Sequence, residues 1–348
     1  MDYDYRPRDP RRGSPGIALI GCGGITEHHL RAYRAAGYRV EVLCDLDERR
    51  ATARRDEFYP HATITTDIAA VLRDPRISVV DIATHPAARL PIIEAAIDAG
   101  LHVLSQKPFV LDLADGERLA ARALARGVKL AVNQNGRWAP HVAYLRTAIA
   151  QGAIGSVSSV DLAVHWDHNW VRGTPFDDIP DLLLYDFAIH WFDMLSCYLP
   201  GQRALGVSAR VLRSRSQTAT PPLLGHVIVE YPHALATLSF NADTRFGSHD
   251  RTLIVGSAGT LLSTGASLDT QTVTVTTAVG SHSPKLEGSW FPDGFHGTMG
   301  ELLCAIEDDR EPAHSATDNL TGLALCFAAI ASSRSGNRVS PGDIRTLV

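Results

Sequence analysis

Three groups of residues in this 348-residue chain have the types and spacing for chemistry. Asp186 and His190 stand four apart in Tyr185-Asp186-Phe187-Ala188-Ile189-His190. On a helix that spacing puts both on one face, where a carboxylate orients and charge-balances an imidazole that titrates near neutrality. Lys107 lies between Gln106 and Pro108, at the end of the apolar run that starts at His102. Gly21-Cys22-Gly23-Gly24-Ile25-Thr26 follows the apolar stretch Gly16-Ile17-Ala18-Leu19-Ile20 and opens a helical pattern over residues 28–36. Gly21 permits a tight turn, Gly23 lets backbone approach a pyrophosphate, and the first N–H groups of the helix face the phosphate charge. A second apolar run over residues 39–44 ends in Asp45, about 20 residues beyond the glycines, where an acid accepts from both ribose hydroxyls and repels a 2′-phosphate. The expected cofactor is therefore NAD in preference to NADP, held by Gly21, Cys22, Gly23, Gly24, Ile25 and Asp45. Thr26 occupies the position of the third glycine, so strand and helix are expected to pack less closely there.

The elements that must position these groups form two patterns. From residue 16 to 132, strand-like runs (16–20, 39–44, 62–65, 77–83, 102–105, 128–132) alternate with helical stretches, as in a doubly wound parallel sheet with helices on both faces. Beyond residue 136 the strand-like runs at 157–166, 205–212, 226–231, 234–241, 250–255 and 270–277 alternate Val, Thr and Leu and are joined by short turns. They predict a large, mostly antiparallel sheet covered by helices near 186–198, 294–307 and 319–333. The expected class is α/β, a Rossmann domain over 16–136 followed by an α+β domain over 137–348 for substrate binding and self-association. The last helix is expected to pack back on the core, and residues 1–15, rich in Arg, Asp and Pro, read as a disordered tail rather than a secretory leader.

Bulk properties narrow the partners. A formal charge of −5 leaves no basic face for nucleic acid, and no apolar run nears the roughly 20 residues needed to span a bilayer. Five cysteines without a CxxC pair read as reduced thiols of a cytoplasmic protein. A dense cluster, His165-Trp166-Asp167-His168-Asn169-Trp170, ends one strand-like run. Its mixture of flat rings and hydrogen-bonding groups suits a sugar, whose C–H faces stack while its hydroxyls need directed partners. A metal site using His165, Asp167, His168 and His190 is the competing reading. It is set aside because a lysine already supplies the electrophile, and no metal is expected.

In this order and spacing, the glycine turn, Gln106-Lys107-Pro108, the crossing at Asn133-Gln134-Asn135-Gly136-Arg137-Trp138 and the Asp186…His190 pair resemble the glucose–fructose oxidoreductase / inositol dehydrogenase family. The resemblance runs from about residue 16 to 343 and implies a nicotinamide-dependent sugar or polyol dehydrogenase. It implies that Lys107, Asp186 and His190 form a catalytic trio and that the Lys107–Pro108 bond is cis. It adds Thr84, His85, Gln106, Lys107 and Asn135 to the cofactor pocket. It also makes Lys107, Arg137, Trp138, His165, Asp167, Asn169, Asp186 and His190 the candidate substrate contacts. Two positions depart from the family pattern: Gln106 stands where glutamate is usual, and His85-Pro86 follows Thr84 where Pro-Asn is common. The expected reaction takes a hydride from a carbinol carbon to NAD⁺, with an aldose oxidised at C1 to a lactone and a pentose such as apiose as the first guess. The alternatives are a glycosidase or epimerase that oxidises and re-reduces transiently, and a sensor that has lost catalysis. The expected assembly is a homodimer or homotetramer.

Overall fold

A computed structural model describes residues 3–347. Of these, residues 6–138 and 291–320 form one compact unit, and residues 3–5, 139–290 and 321–347 form the other. The first unit carries β1 (Gly16–Ile20), α1 (Thr26–Ala35), β2 (Arg39–Cys44), α2 (Glu48–Phe58), β3 (Thr63–Thr65), α3 (Ile68–Arg73), β4 (Ile77–Ile82), α4 (Pro86–Asp98), β5 (His102–Gln106), α5 (Leu113–Ala125) and β6 (Leu130–Asn133). The strands form a parallel sheet in the order β3-β2-β1-β4-β5-β6. Chain order reverses direction at β1, the switch point where such sheets open a crevice at the strands' carboxyl ends. Continuous apolar runs such as Ile17-Ala18-Leu19-Ile20 fit strands covered on both faces, and all four residues are buried. Asp47, Asp67 and Asp112 cap α2, α3 and α5 by accepting a backbone N–H two residues on.

The second unit starts with α6 (Pro140–Ala150), then β7 (Val157–His165), α7 (Ile189–Tyr198), β8 (Gly206–Leu212), β9 (Leu224–Glu230), β10 (Leu235–Asn241), β11 (His249–Gly256), β12 (Gly259–Ser267), β13 (Thr270–Thr277) and β14 (Gly280–His282). Its eight strands run in the order β14-β13-β12-β11-β7-β10-β9-β8. All pairs are antiparallel except β7 with β10, whose register places His165 beside Asn241. Period-2 alternation sends Val160, Leu162 and Val164 of β7 and Ala236, Leu238 and Phe240 of β10 to the buried face. β12 and β14 were not anticipated in the sequence; β12 contains two glycines and four polar residues, which mask its alternation.

Two helices divide between the units. In α8 (Trp290–Glu307) the backbone is non-helical at Phe291, before a cis Phe291–Pro292 bond, and the residues from 291 on belong to the first unit. There Phe295, Met299, Leu302 and Leu303 join the core built on β1, β2 and α1. In α9 (Ala316–Ser335) the residues from 321 on belong to the second unit, where Phe327 is fully buried. The division thus differs from a single boundary at 136/137: the nucleotide unit takes back 291–320 because the apolar face of α8 completes its core. The expectation of a disordered segment over 1–15 is also corrected, for the described residues. Tyr3 packs edge-on against Tyr144, Asp9 accepts from Tyr38, and the N–H groups of Arg11 and Arg12 both donate to Glu307.

Candidate functional site

The β1–α1 turn is built for an anion. Gly21 has φ +94°, and a Cβ there would lie 2.9 Å from the Ala83 carbonyl oxygen, so only glycine allows this turn to pass β4. Beside Gly23 and Gly24 a Cβ would meet nothing within 4 Å, which leaves open space over the turn. Ile25, the N-cap of α1, supplies no side-chain cap, and the N–H groups of Thr26, Glu27 and His28 donate to the carbonyls of Gly23, Gly24 and Ile25 at 3.3, 3.3 and 3.1 Å. Thr26 is fully buried and donates its hydroxyl to the Gly23 carbonyl at 2.6 Å, tying the turn where a third glycine would only make room. Asp45 accepts from the Cys22 N–H at 2.7 Å and from the Asp47 N–H at 2.8 Å. Each carboxylate oxygen keeps a lone pair for a ribose hydroxyl. Burial, then Asp45, pushes the Cys22 thiol up to about 12, so it is a packing group rather than a nucleophile. These residues fit the adenosine and pyrophosphate half of NAD.

At the carboxyl end of β5 the turn Gln106-Lys107-Pro108 is held rigidly. The Lys107–Pro108 bond is cis. Arg89 of α4, only 1% exposed, donates to the carbonyls of Gln106, of Pro108 at 2.5 Å and of Thr84 at 2.6 Å. One planar guanidinium thereby joins the carboxyl ends of the neighbouring strands β4 and β5. The Thr84 hydroxyl is buried and has no partner among the described residues. His85 is exposed and caps α4, accepting weakly from the Ala87 N–H at 3.4 Å. Gln106, expected at the cofactor, has its amide 3.1 Å from His29, and its Oε1 accepts from the Lys107 N–H at 2.8 Å. Asn135 begins a short 3₁₀ turn and is buried. Arg137 and Trp138, expected at the substrate, are buried and make contacts within the fold. Arg137 is 3% exposed and donates to the Ala313 carbonyl and to Asp318, each at 2.5 Å, while Trp138 packs edge-on against buried His314.

In the second unit the helical spacing of Asp186 and His190 takes a different form. Residues Leu183–Phe187 form a π-helical turn, and α7 begins only at Ile189. Asp186 is on the wide turn and His190 on the first turn of α7, so the one-face argument for a continuous α-helix is replaced by a π-bulge, a local insertion common at functional sites. The His190 ring stands edge-on to Trp290, with centroids 5.5 Å apart. His168 lies close enough to Asp186 to feel its charge, with its ring 4.1 Å from that of Phe187. Burial pulls His168 down to about 4 against the opposing pull of Asp167 and Asp186, so it is neutral at physiological pH.

The aromatic cluster divides. Trp166 and Asp167 line an open cleft of about 400 Å³ together with Thr244, Arg245, Ser267 and Asp269. Asn169, expected at the substrate, ties neighbouring segments together. Its amide nitrogen donates to Asp167 and Asp243, and its oxygen accepts from Thr218 and Ala219, leaving no capacity for a ligand. His165 faces away, 3.3 Å from Ser239 and with its ring 4.3 Å from that of His249. Among the described residues no group of three or more His, Cys, Asp or Glu is arranged to hold a metal ion. The structural place of Arg89 was not anticipated in the sequence, and His168 was considered there only within the aromatic cluster and as a metal ligand. Their only signals were a lone arginine in an apolar helix and a histidine beside an acid, neither of which shows its partner.

Residues 16–134 match the oxidoreductase family with the NAD-binding Rossmann fold, and residues 142–262 match the GFO/IDH/MocA C-terminal domain. The chain belongs to this family and is an NAD-dependent oxidoreductase. It is 27% identical to D-apiose dehydrogenase of Paraburkholderia graminis, over 92% of this chain and 88% of that one. To inositol 2-dehydrogenase 1 of Saccharopolyspora erythraea it is 23% identical, over 93% and 95%. An oxidoreductase from Agrobacterium radiobacter, solved with NAD⁺, L-tartaric acid and magnesium, shares the fold with a TM-score of 0.84 and 22% identity, covering 94% of this chain and 99% of that one.

Proposed function

We propose that this enzyme oxidises a carbinol carbon of a small sugar or polyol, and that its substrate is an aldose oxidised at C1 to a lactone, with D-apiose as the first candidate. The observation that carries the reading is the fixed Lys107 turn: Arg89 from below and Gln106 from the side hold a cationic residue at the strand end beside the nucleotide turn. The relatives named for apiose and inositol oxidation support the substrate class. Bound NAD⁺ supplies the hydride acceptor. The Lys107 ammonium lowers the pKa of the substrate hydroxyl and stabilises the charge that develops on its oxygen. His190 takes the hydroxyl proton at its imidazole, and Asp186 holds that ring in its working orientation and favours its protonated form after transfer. Trp166 and Asp167 offer a ring face and an acceptor to the sugar. Five free cysteines, four of them buried, are consistent with a cytoplasmic setting.

The test is NAD⁺ reduction across aldoses, inositols and amino sugars. Net NADH with one equivalent of lactone from D-apiose or another aldose is expected. Sugar conversion without net NADH would overturn the reading in favour of a transient oxidation, as in an epimerase or glycosidase.

A further inference from the structure

A fully buried polar chain runs beneath the strand end that carries Lys107. Asp81 of β4 and His29 of α1 are both 0% exposed, and Asp81 Oδ2 lies 2.7 Å from His29 Nδ1. The same oxygen accepts from the Tyr33 hydroxyl at 2.7 Å. On the other side of the ring, His29 Nε2 is 3.1 Å from Gln106 Nε2 and 3.3 Å from Asn133 Nδ2. Gln106 Oε1 closes the chain on the Lys107 N–H.

The direction of every bond follows from one fixed donor. A backbone N–H cannot accept, so the Gln106 group facing Lys107 must be its oxygen. The amide nitrogen therefore faces His29, and as a pure donor it requires a lone pair on Nε2. The ring proton must then be on Nδ1, where it donates to Asp81. The amide thus selects a neutral, single-tautomer histidine. A glutamate at 106 would still accept from Lys107 but has no proton for Nε2, and the same geometry would then need one more proton.

We infer that Gln106 is the positioning residue of Lys107, held by the Asp81–His29 pair in a relay whose bond directions fix His29 as its Nδ1–H tautomer. The inference rests on the reading of Lys107 as a catalytic group. The groups facing His29 are Asp81 from β4, Tyr33 and the neighbouring His28 from α1, the uncharged amides of Gln106 and Asn133, and the Phe295 ring 4.5 Å away. None of the amides changes charge. In Gln106→Glu, by contrast, the relay is complete only while the extra proton is bound, so the sign is definite: turnover falls as pH rises through the pKa of the new imidazolium.

The experiment is ¹⁵N NMR of histidine-labelled full-length protein, with His29 identified by its contacts to Tyr33 and Phe295 and needing no variant. The expected result is an Nδ1–H tautomer with Nε2 unprotonated. In Gln106→Glu the same ring should carry a proton on Nε2. In Gln106→Met, which removes the acceptor but keeps the volume, the Lys107 amide should exchange its hydrogen about tenfold faster. An Nε2–H tautomer in the wild type, or an unchanged Lys107 amide in Gln106→Met, would overturn the inference. If Lys107→Ala kept near-normal turnover while the NMR results stood, the catalytic reading of Lys107 alone would fall.

Discussion

At the scale of single residues, His190 carries the sharpest consequence. His190→Ala should lower kcat for oxidation by about 10²–10⁴ while leaving NAD⁺ affinity nearly unchanged, since His190 lies outside the nucleotide unit. Lys107→Ala should be damaged similarly, and the double variant should be little worse than either, because both groups act on one hydroxyl. Steady-state kinetics with fluorescence titration of NAD⁺ read both quantities, and near-normal turnover in His190→Ala would show the trio to be misassigned. Asp45 governs the cofactor. Its carboxylate is pinned to the glycine turn by the Cys22 N–H, so the negative charge cannot swing away from a 2′-phosphate. The ratio of kcat/KM should favour NAD⁺ over NADP⁺, and Asp45→Asn should narrow it by about tenfold, the worth of roughly one partly screened charge contact. Arg49 and Arg50, both exposed near Asp47, are the cations able to receive the phosphate once that repulsion is gone.

At the scale of elements, two buried charges set stability in opposite senses. Arg89 satisfies three carbonyls at the ends of β4 and β5, so Arg89→Met would strand buried acceptors and should cost roughly 3 kcal/mol in urea unfolding. Asp250 on β11 faces the buried side of its sheet, and its Oδ2 has no partner among the described residues. Burial pushes its carboxyl up to about 7. The folded protein therefore holds a proton that the unfolded chain releases above about pH 4, so Asp250 weakens stability progressively between about pH 4 and pH 7. Asp250→Asn should be close to neutral at pH 4 and stabilising by up to about 4 kcal/mol at pH 8. Thermal unfolding of both proteins at the two pH values checks this, and an equal effect at both would contradict it.

At the scale of the whole molecule, the eight-stranded sheet has one face buried and one open. On the open side of its described residues, Ile228 of β9 and Leu235 of the neighbouring β10 are 44% and 46% exposed, and Leu212, at the end of the edge strand β8, is 66% exposed. We propose that this face joins copies of the chain into a homodimer or homotetramer, since exposed apolar positions on the uncovered face of a sheet mark a partner surface. Light scattering at micromolar concentration should give a multiple of 37.6 kDa, and Ile228→Arg with Leu235→Arg should give the monomer mass. A monomeric wild type would refute the proposal.

The sequence by itself determined what is local. Apolar runs of strand length, glycines at a turn that must pass a neighbouring strand, and Asp45 at a strand end are each set by residues within about 25 positions, and the six-stranded sheet follows from their alternation. The doubly wound class and the largely antiparallel second sheet were legible for the same reason. Tertiary structure decided which polar groups are consumed by the fold. Asn169 and Arg137 look available in sequence, but their hydrogen-bonding atoms are taken by Thr218, Asp243 and Asp318, residues 49 to 181 positions away. Gln106 looks like a substituted glutamate until His29, 77 positions earlier, is found against its amide. The return of residues 291–320 to the nucleotide unit and the π turn at Leu183–Phe187 belong to the same category. Periodicity reports how a segment meets solvent, whereas these features depend on which distant segment it meets.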